Sequence, residues 1–144
     1  MKKNIISLPL LAVYMLTLLT PVLSQPAGDT MAIGEFKTIY SKVLSENRRF
    51  IISLPEEYKD AATDYPVLYL IDGEKIFVFA EAVGAKNSLR FDPDVKDMII
   101  VGIDTDQNRN RDLIPAIVKD RPGSGGAKKF RAFIEKELKP SINE

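Results

Sequence analysis

Very few side chains in this sequence can do covalent chemistry. Its 144 residues include no His and no Cys. That removes the imidazole base, the thiolate nucleophile and the usual zinc ligands. A Ser-His-Asp or Cys-His set cannot be completed from these residues, and no cofactor or metal is implied. Three polar stretches are left to test. Asp104-Thr105-Asp106-Gln107-Asn108 opens like a calcium loop. Arg109 stands where such a loop needs Gly, and Pro115 where it needs a bidentate Glu. Arg109, Arg111 and Asp112 could form a cationic clamp for a substrate carboxylate, because Arg presents a planar fork of donors. The alternative is an Arg–Asp pair that pins its own loop. Ser124 lies in a Gly-rich stretch, Pro122–Gly126, with no base beside it. That stretch lacks the spacing of a phosphate-binding loop, so it reads as a linker that starts a helix.

The elements that must position these residues follow from the apolar pattern. Gly34–Leu44 has the spacing of a strand with one buried face. Ser45-Glu46-Asn47 reads as a turn, and Arg48–Leu54 as a second strand in an antiparallel hairpin. Tyr65–Ile71 and Met98–Ile103 are unbroken apolar runs, as expected of strands covered on both faces. Phe77–Val83 fits a helix, and Asn87–Pro93 a loop. Asp104–Asp112 reads as a polar loop. In Ala127–Leu138, Phe130, Phe133, Ile134 and Leu138 form one stripe, and Pro140 is expected to end the helix. The order predicts an α/β fold: an antiparallel hairpin, then parallel strands with crossover helices. Sites in such sheets lie beyond the carboxyl ends of the strands. Those ends are Ile71–Glu74 and Ile103–Asp112.

The first 24 residues read as an address. Lys2 and Lys3 precede a charge-free apolar run from Ile5 to Leu23, and Val22-Leu23-Ser24 offers a cut after Ser24. An uncleaved anchor is the alternative, since the run is close to the ~20 residues a spanning helix needs. The expected organisation is a signal peptide over 1–24, a flexible lead-in over 25–33 and a domain over 34–144. The product would be exported, periplasmic or secreted, with no membrane attachment once cleaved. Lys+Arg and Asp+Glu both number 20, so nothing favours a nucleic-acid partner.

Four segments together resemble the esterase D/enterochelin-esterase-like family of the α/β-hydrolases. They are Arg48–Tyr58, Tyr65–Phe77, Met98–Pro115 and Gly125–Ile142, in the family's order. The resemblance implies a secreted carboxylic-ester hydrolase with a Ser nucleophile, a His base and an acid, acting on a siderophore-type or other small ester. It places one oxyanion-hole donor on the backbone N–H of Glu74, directly after Asp72-Gly73, with no role required of the Glu74 side chain. It also equates the 127–138 helix with the one that precedes the nucleophile strand. The expectation is therefore the N-terminal part of a hydrolase sheet, inactive alone, with the triad outside these residues. A sheet so divided would expose an apolar edge open to self-association. The alternative is a short exported binding or interaction protein without catalysis.

Overall fold

A computed structural model describes residues 31–56, 58 and 64–143. The signal-peptide reading over 1–24 and most of the lead-in fall outside the described residues. Four strands form one mixed sheet in the order β1-β2-β4-β3. They are β1 (Glu35–Ser41), β2 (Glu46–Ser53), β3 (Val67–Ile71) and β4 (Ile99–Ile103). β1 and β2 pair antiparallel, as do β2 and β4, while β3 and β4 run parallel. This is the α/β arrangement expected.

Helices cover both faces because successive side chains alternate across each strand. Helix α1 (Ile76–Leu89) places Phe79 and Val83, one turn apart, against Ile51 and Ile100. Ile33 packs on the same cluster, so the lead-in is already part of the core at its last residue. On the opposite face, Phe50, Ile52, Val101 and Ile103 meet Phe130, Phe133 and Leu138 from the C-terminal helix. β4 is buried along its whole length, as its unbroken apolar run requires.

β3 departs from expectation. It forms an edge of the sheet among the described residues, with Leu68 and Ile71 about 40 % and 38 % exposed. The unbroken run overstates the burial of this strand, because β4 takes the inner position between β2 and β3.

The hairpin turn also moves. It occupies residues 42–45, with Ser41 opposite Glu46. The Glu137 carboxylate accepts the N–H groups of Lys42 and Val43, while Ser41 Oγ accepts the Leu44 N–H. Those N–H groups are thereby withdrawn from the ladder, which ends three residues early.

Two further boundaries shift. The expected loop at residues 104–112 is mostly helical: a short 3-10 turn (Asp106–Asn108) leads into α2 (Arg109–Leu113). Its polarity reports exposure and not irregular backbone. The C-terminal helix does not stop at Pro140. Helix α3 (Ala127–Phe133) passes into a π-helical segment (Ile134–Leu138) and then α4 (Lys139–Ile142). The Lys139 N–H reaches back five residues to Ile134 O. That wider turn accommodates a residue with no N–H and a ring that would clash in a regular helix.

Candidate functional site

The end of β3 turns sharply. Asp72 has φ 63°, in the left-handed region that residues with a Cβ rarely adopt. The Lys75 N–H closes the turn on Asp72 O at 3.0 Å. Gly73 is buried against β4. Its N–H donates to Ile103 O at 2.8 Å, and a Cβ in its place would lie 2.6 Å from Gly102 O. Only a residue without a side chain lets the two backbones approach this closely.

Thr105, just beyond β4, holds the residues on either side of Gly73. Its hydroxyl donates to Asp72 Oδ1 at 2.6 Å, and its N–H donates to Glu74 Oε2 at 3.1 Å. Lys75 Nζ donates to Asp72 Oδ2 at 2.9 Å, and Arg109 donates to Oδ1. Partial burial pushes the Asp72 carboxyl up, but the hydrogen bonds from Thr105, Lys75 and Arg109, with the Arg109 charge, outweigh it. The group is held at about 2. Among the described residues no acceptor takes the Glu74 N–H. Glu74 borders a polar cleft of about 340 Å³, lined also by Arg48, Arg49, Asp104, Thr105 and Asn108. Asp72, Gly73 and Glu74 thus stand together at a strand's carboxyl end, where an α/β sheet carries its chemistry.

The basic residues expected to clamp a carboxylate take different positions. Arg109 is about half exposed and pairs with Asp72. Arg111 is bound on three sides: two of its nitrogens reach Glu46 at 2.9 and 2.6 Å, and its Nε donates to Asp112 at 2.7 Å. Its hydrogen bonds hold the Glu46 carboxyl below the ordinary range, and Glu46 in turn raises the Arg111 guanidinium. Asp112 is buried with Arg48, their nearest atoms 2.8 Å apart. Arg111 and Asp112 tie α2 to β2. Arg109 and Arg111 do share the border of a second hollow, with Pro122 and Gly123. Ser124 Oγ accepts the Val118 N–H at 2.8 Å, a contact that shapes its loop.

Thr105 and Lys75 carry no sequence signal as site residues. Thr105 entered only as the second position of a failed calcium pattern. Its part depends on β4 lying beside β3, which no local spacing reports. The Glu74 side chain, for which no role was expected, holds the turn by accepting from Thr105.

Comparison with known proteins bears on family and fold. The family model described as Putative esterase matches residues 41–144. An IroE-like serine hydrolase from Shewanella oneidensis is 37 % identical, with TM-score 0.65 over 76 % of this chain and 37 % of its own. The BES protein from Bacillus cereus is 33 % identical, with TM-score 0.63 over 82 % and 48 %. The siderophore hydrolase EstB from Aspergillus nidulans is 25 % identical, with TM-score 0.59 over 83 % and 45 %. The chain thus spans less than half the length of each. No curated protein matches it.

Proposed function

The chain belongs to the Putative esterase family, and from that premise we propose that it supplies the oxyanion side of a carboxylic-ester hydrolase site. One observation carries the proposal: the Asp72-Gly73-Glu74 turn is pinned to β4, and Glu74, which borders a polar cleft, has an N–H that no acceptor takes among the described residues. A donor fixed before the reaction stabilises negative charge as it develops on the tetrahedral intermediate, with no reorganisation at that moment. A hydroxyl nucleophile needs an activating base, and this chain has no His. Residues 25–144 alone are therefore inactive. The substrate class is a small ester of siderophore type, supported by the likeness to a siderophore hydrolase. Of the residues expected to clamp a carboxylate, Arg109 alone stands beside the turn, exposed and paired with Asp72, and is the one that would meet a substrate carboxylate there. Lys2, Lys3 and the apolar run to Leu23 support export, with the product starting at Gln25.

The test compares residues 25–144 with the product purified at its native length from its own gene, both on p-nitrophenyl acetate. No turnover above buffer is expected from the first, and serine-reagent-sensitive turnover from the second. Serine-insensitive turnover by residues 25–144 would demand another mechanism. An inactive native product whose mass matches residues 25–144 would turn attention to the non-catalytic reading. On that second reading another copy would pair with β3, an edge of the sheet among the described residues with Leu68 and Ile71 exposed. A divided hydrolase sheet leaves the same edge open, so what separates the two readings is a stable folded state. Light scattering that shows a stable folded oligomer would support it, and a monomer would count against it.

A further inference from the structure

We propose that Thr105 is the positioning residue of this site, holding the Glu74 N–H in its donor geometry without touching substrate. The proposal rests on the oxyanion reading of Glu74. Its ground is the double grip described above, one hydrogen bond to each neighbour of Gly73. Thr105 is 1 % exposed, so it is itself held in place by packing. It lies two residues beyond the end of β4, where Ile103 accepts the Gly73 N–H. Asp72, Gly73 and Glu74 are therefore each tied to the same strand end.

This arrangement answers a physical difficulty. Asp72 occupies a backbone region that is unfavourable for a residue with a Cβ, and such conformations persist only where the surroundings over-determine them. Arg109 and Lys75 also contact Asp72, but both are about half exposed on long flexible stems. Thr105 combines a short, buried side chain with a backbone donor, so it can fix both position and direction. Its backbone bond to Glu74 makes the carboxylate part of the device. Oxyanion donors lose their value when they must reorganise during reaction. Loosening this grip would thus lower kcat and leave ground-state binding nearly unchanged.

Two measurements test the proposal, on wild type, Thr105→Ser, Thr105→Val and Glu74→Ala. Amide NMR of the ¹⁵N-labelled chain reads the Gly73 and Glu74 signals and the exchange of the Gly73 N–H. Steady-state kinetics on p-nitrophenyl acetate reads the native-length protein. Thr105→Ser keeps the hydroxyl and is expected to match wild type. Thr105→Val is expected to shift both amides and to speed Gly73 exchange by about tenfold or more. Its kcat should fall by about tenfold to a hundredfold with KM within about twofold. Glu74→Ala removes the second arm and should move both readouts in the same direction. It also serves if Thr105→Val does not fold. Unmoved amides in the Val and Ala variants would overturn the proposal, and so would a displaced turn with kcat intact. A wild-type protein that hydrolyses no ester would instead overturn the oxyanion reading, while the amide comparison would still decide whether Thr105 sets the turn.

Discussion

Gly73 and Gly102 meet backbone to backbone across the β3–β4 pair. A Cβ on Gly102 would come within 3.0 Å of Gly73 Cα, 2.8 Å of Ile51 Cγ2 and 2.9 Å of Phe79 Cδ2. Gly102→Ala must therefore push side chains of the α1 face apart, at a cost of about 1–3 kcal/mol by analogy with overpacked cores. Gly73→Ala should cost more, because its Cβ meets backbone, which cannot rotate away. Urea denaturation of the two variants checks the order. Equal and negligible losses would show that the strands separate without penalty.

Asp72 makes stability depend on acid. Its folded value is about 2 against an ordinary 3.8. The unfolded chain therefore binds the proton more readily, and the carboxylate contributes stability that is fully present above the unfolded value. That contribution fades as pH falls from about 4 toward 2. Asp72→Asn should remove this limb of the profile while other carboxylates keep theirs. Denaturation midpoints measured between pH 5 and 2 decide it, and parallel wild-type and variant curves would refute it.

Arg48 and Asp112 form the most enclosed ion pair of the described residues, at 4 % and 1 % exposure. Asp112→Ala would leave the buried Arg48 with the Glu46 carboxylate and Asp104 O as its remaining partners. The loss should therefore fall below the roughly 3–5 kcal/mol of a wholly uncompensated buried charge and still exceed about 1 kcal/mol. By contrast, Glu135→Gln breaks a surface pair with Arg131 and should not change the melting temperature measurably. Thermal melts of both variants read the contrast.

Glu137 joins the C-terminal helix to the β1–β2 turn through Ser41, Lys42 and Val43. Glu137→Ala leaves those donors to water or to nothing, an effect of about 1–3 kcal/mol. The Lys42 and Val43 amides should exchange faster, while those of β4 should be unaffected beyond the global loss. Slow exchange retained at Lys42 and Val43 would mean that the turn holds itself.

Patterns that act within a short window were legible in the chain. The unbroken run at residues 98–103 announced a strand buried on both faces. The stripe of Phe130, Phe133 and Leu138 announced the face that packs beneath it. Asp72-Gly73, closing an apolar strand, marked a sharp turn at the end of β3. Element ends were less legible, because partners distant in sequence decide them: Glu137 ends β1 from 96 residues beyond Ser41.

Composition alone excluded an imidazole base from these residues, and resemblance pointed to the Glu74 N–H. Hydrophobic periodicity established which elements form, since each must bury its apolar face. Tertiary structure decided which strand took the middle of the sheet, and with it the whole neighbourhood of the site. Only because β4 lies between β2 and β3 does Thr105 reach both Asp72 and Glu74. The same packing engages Arg111 with Glu46 and Asp112, while Arg109 remains exposed on the turn. Hydrogen bonds act over about 3 Å, so the side chains that meet are set by which strands are neighbours, which sequence distance does not reveal.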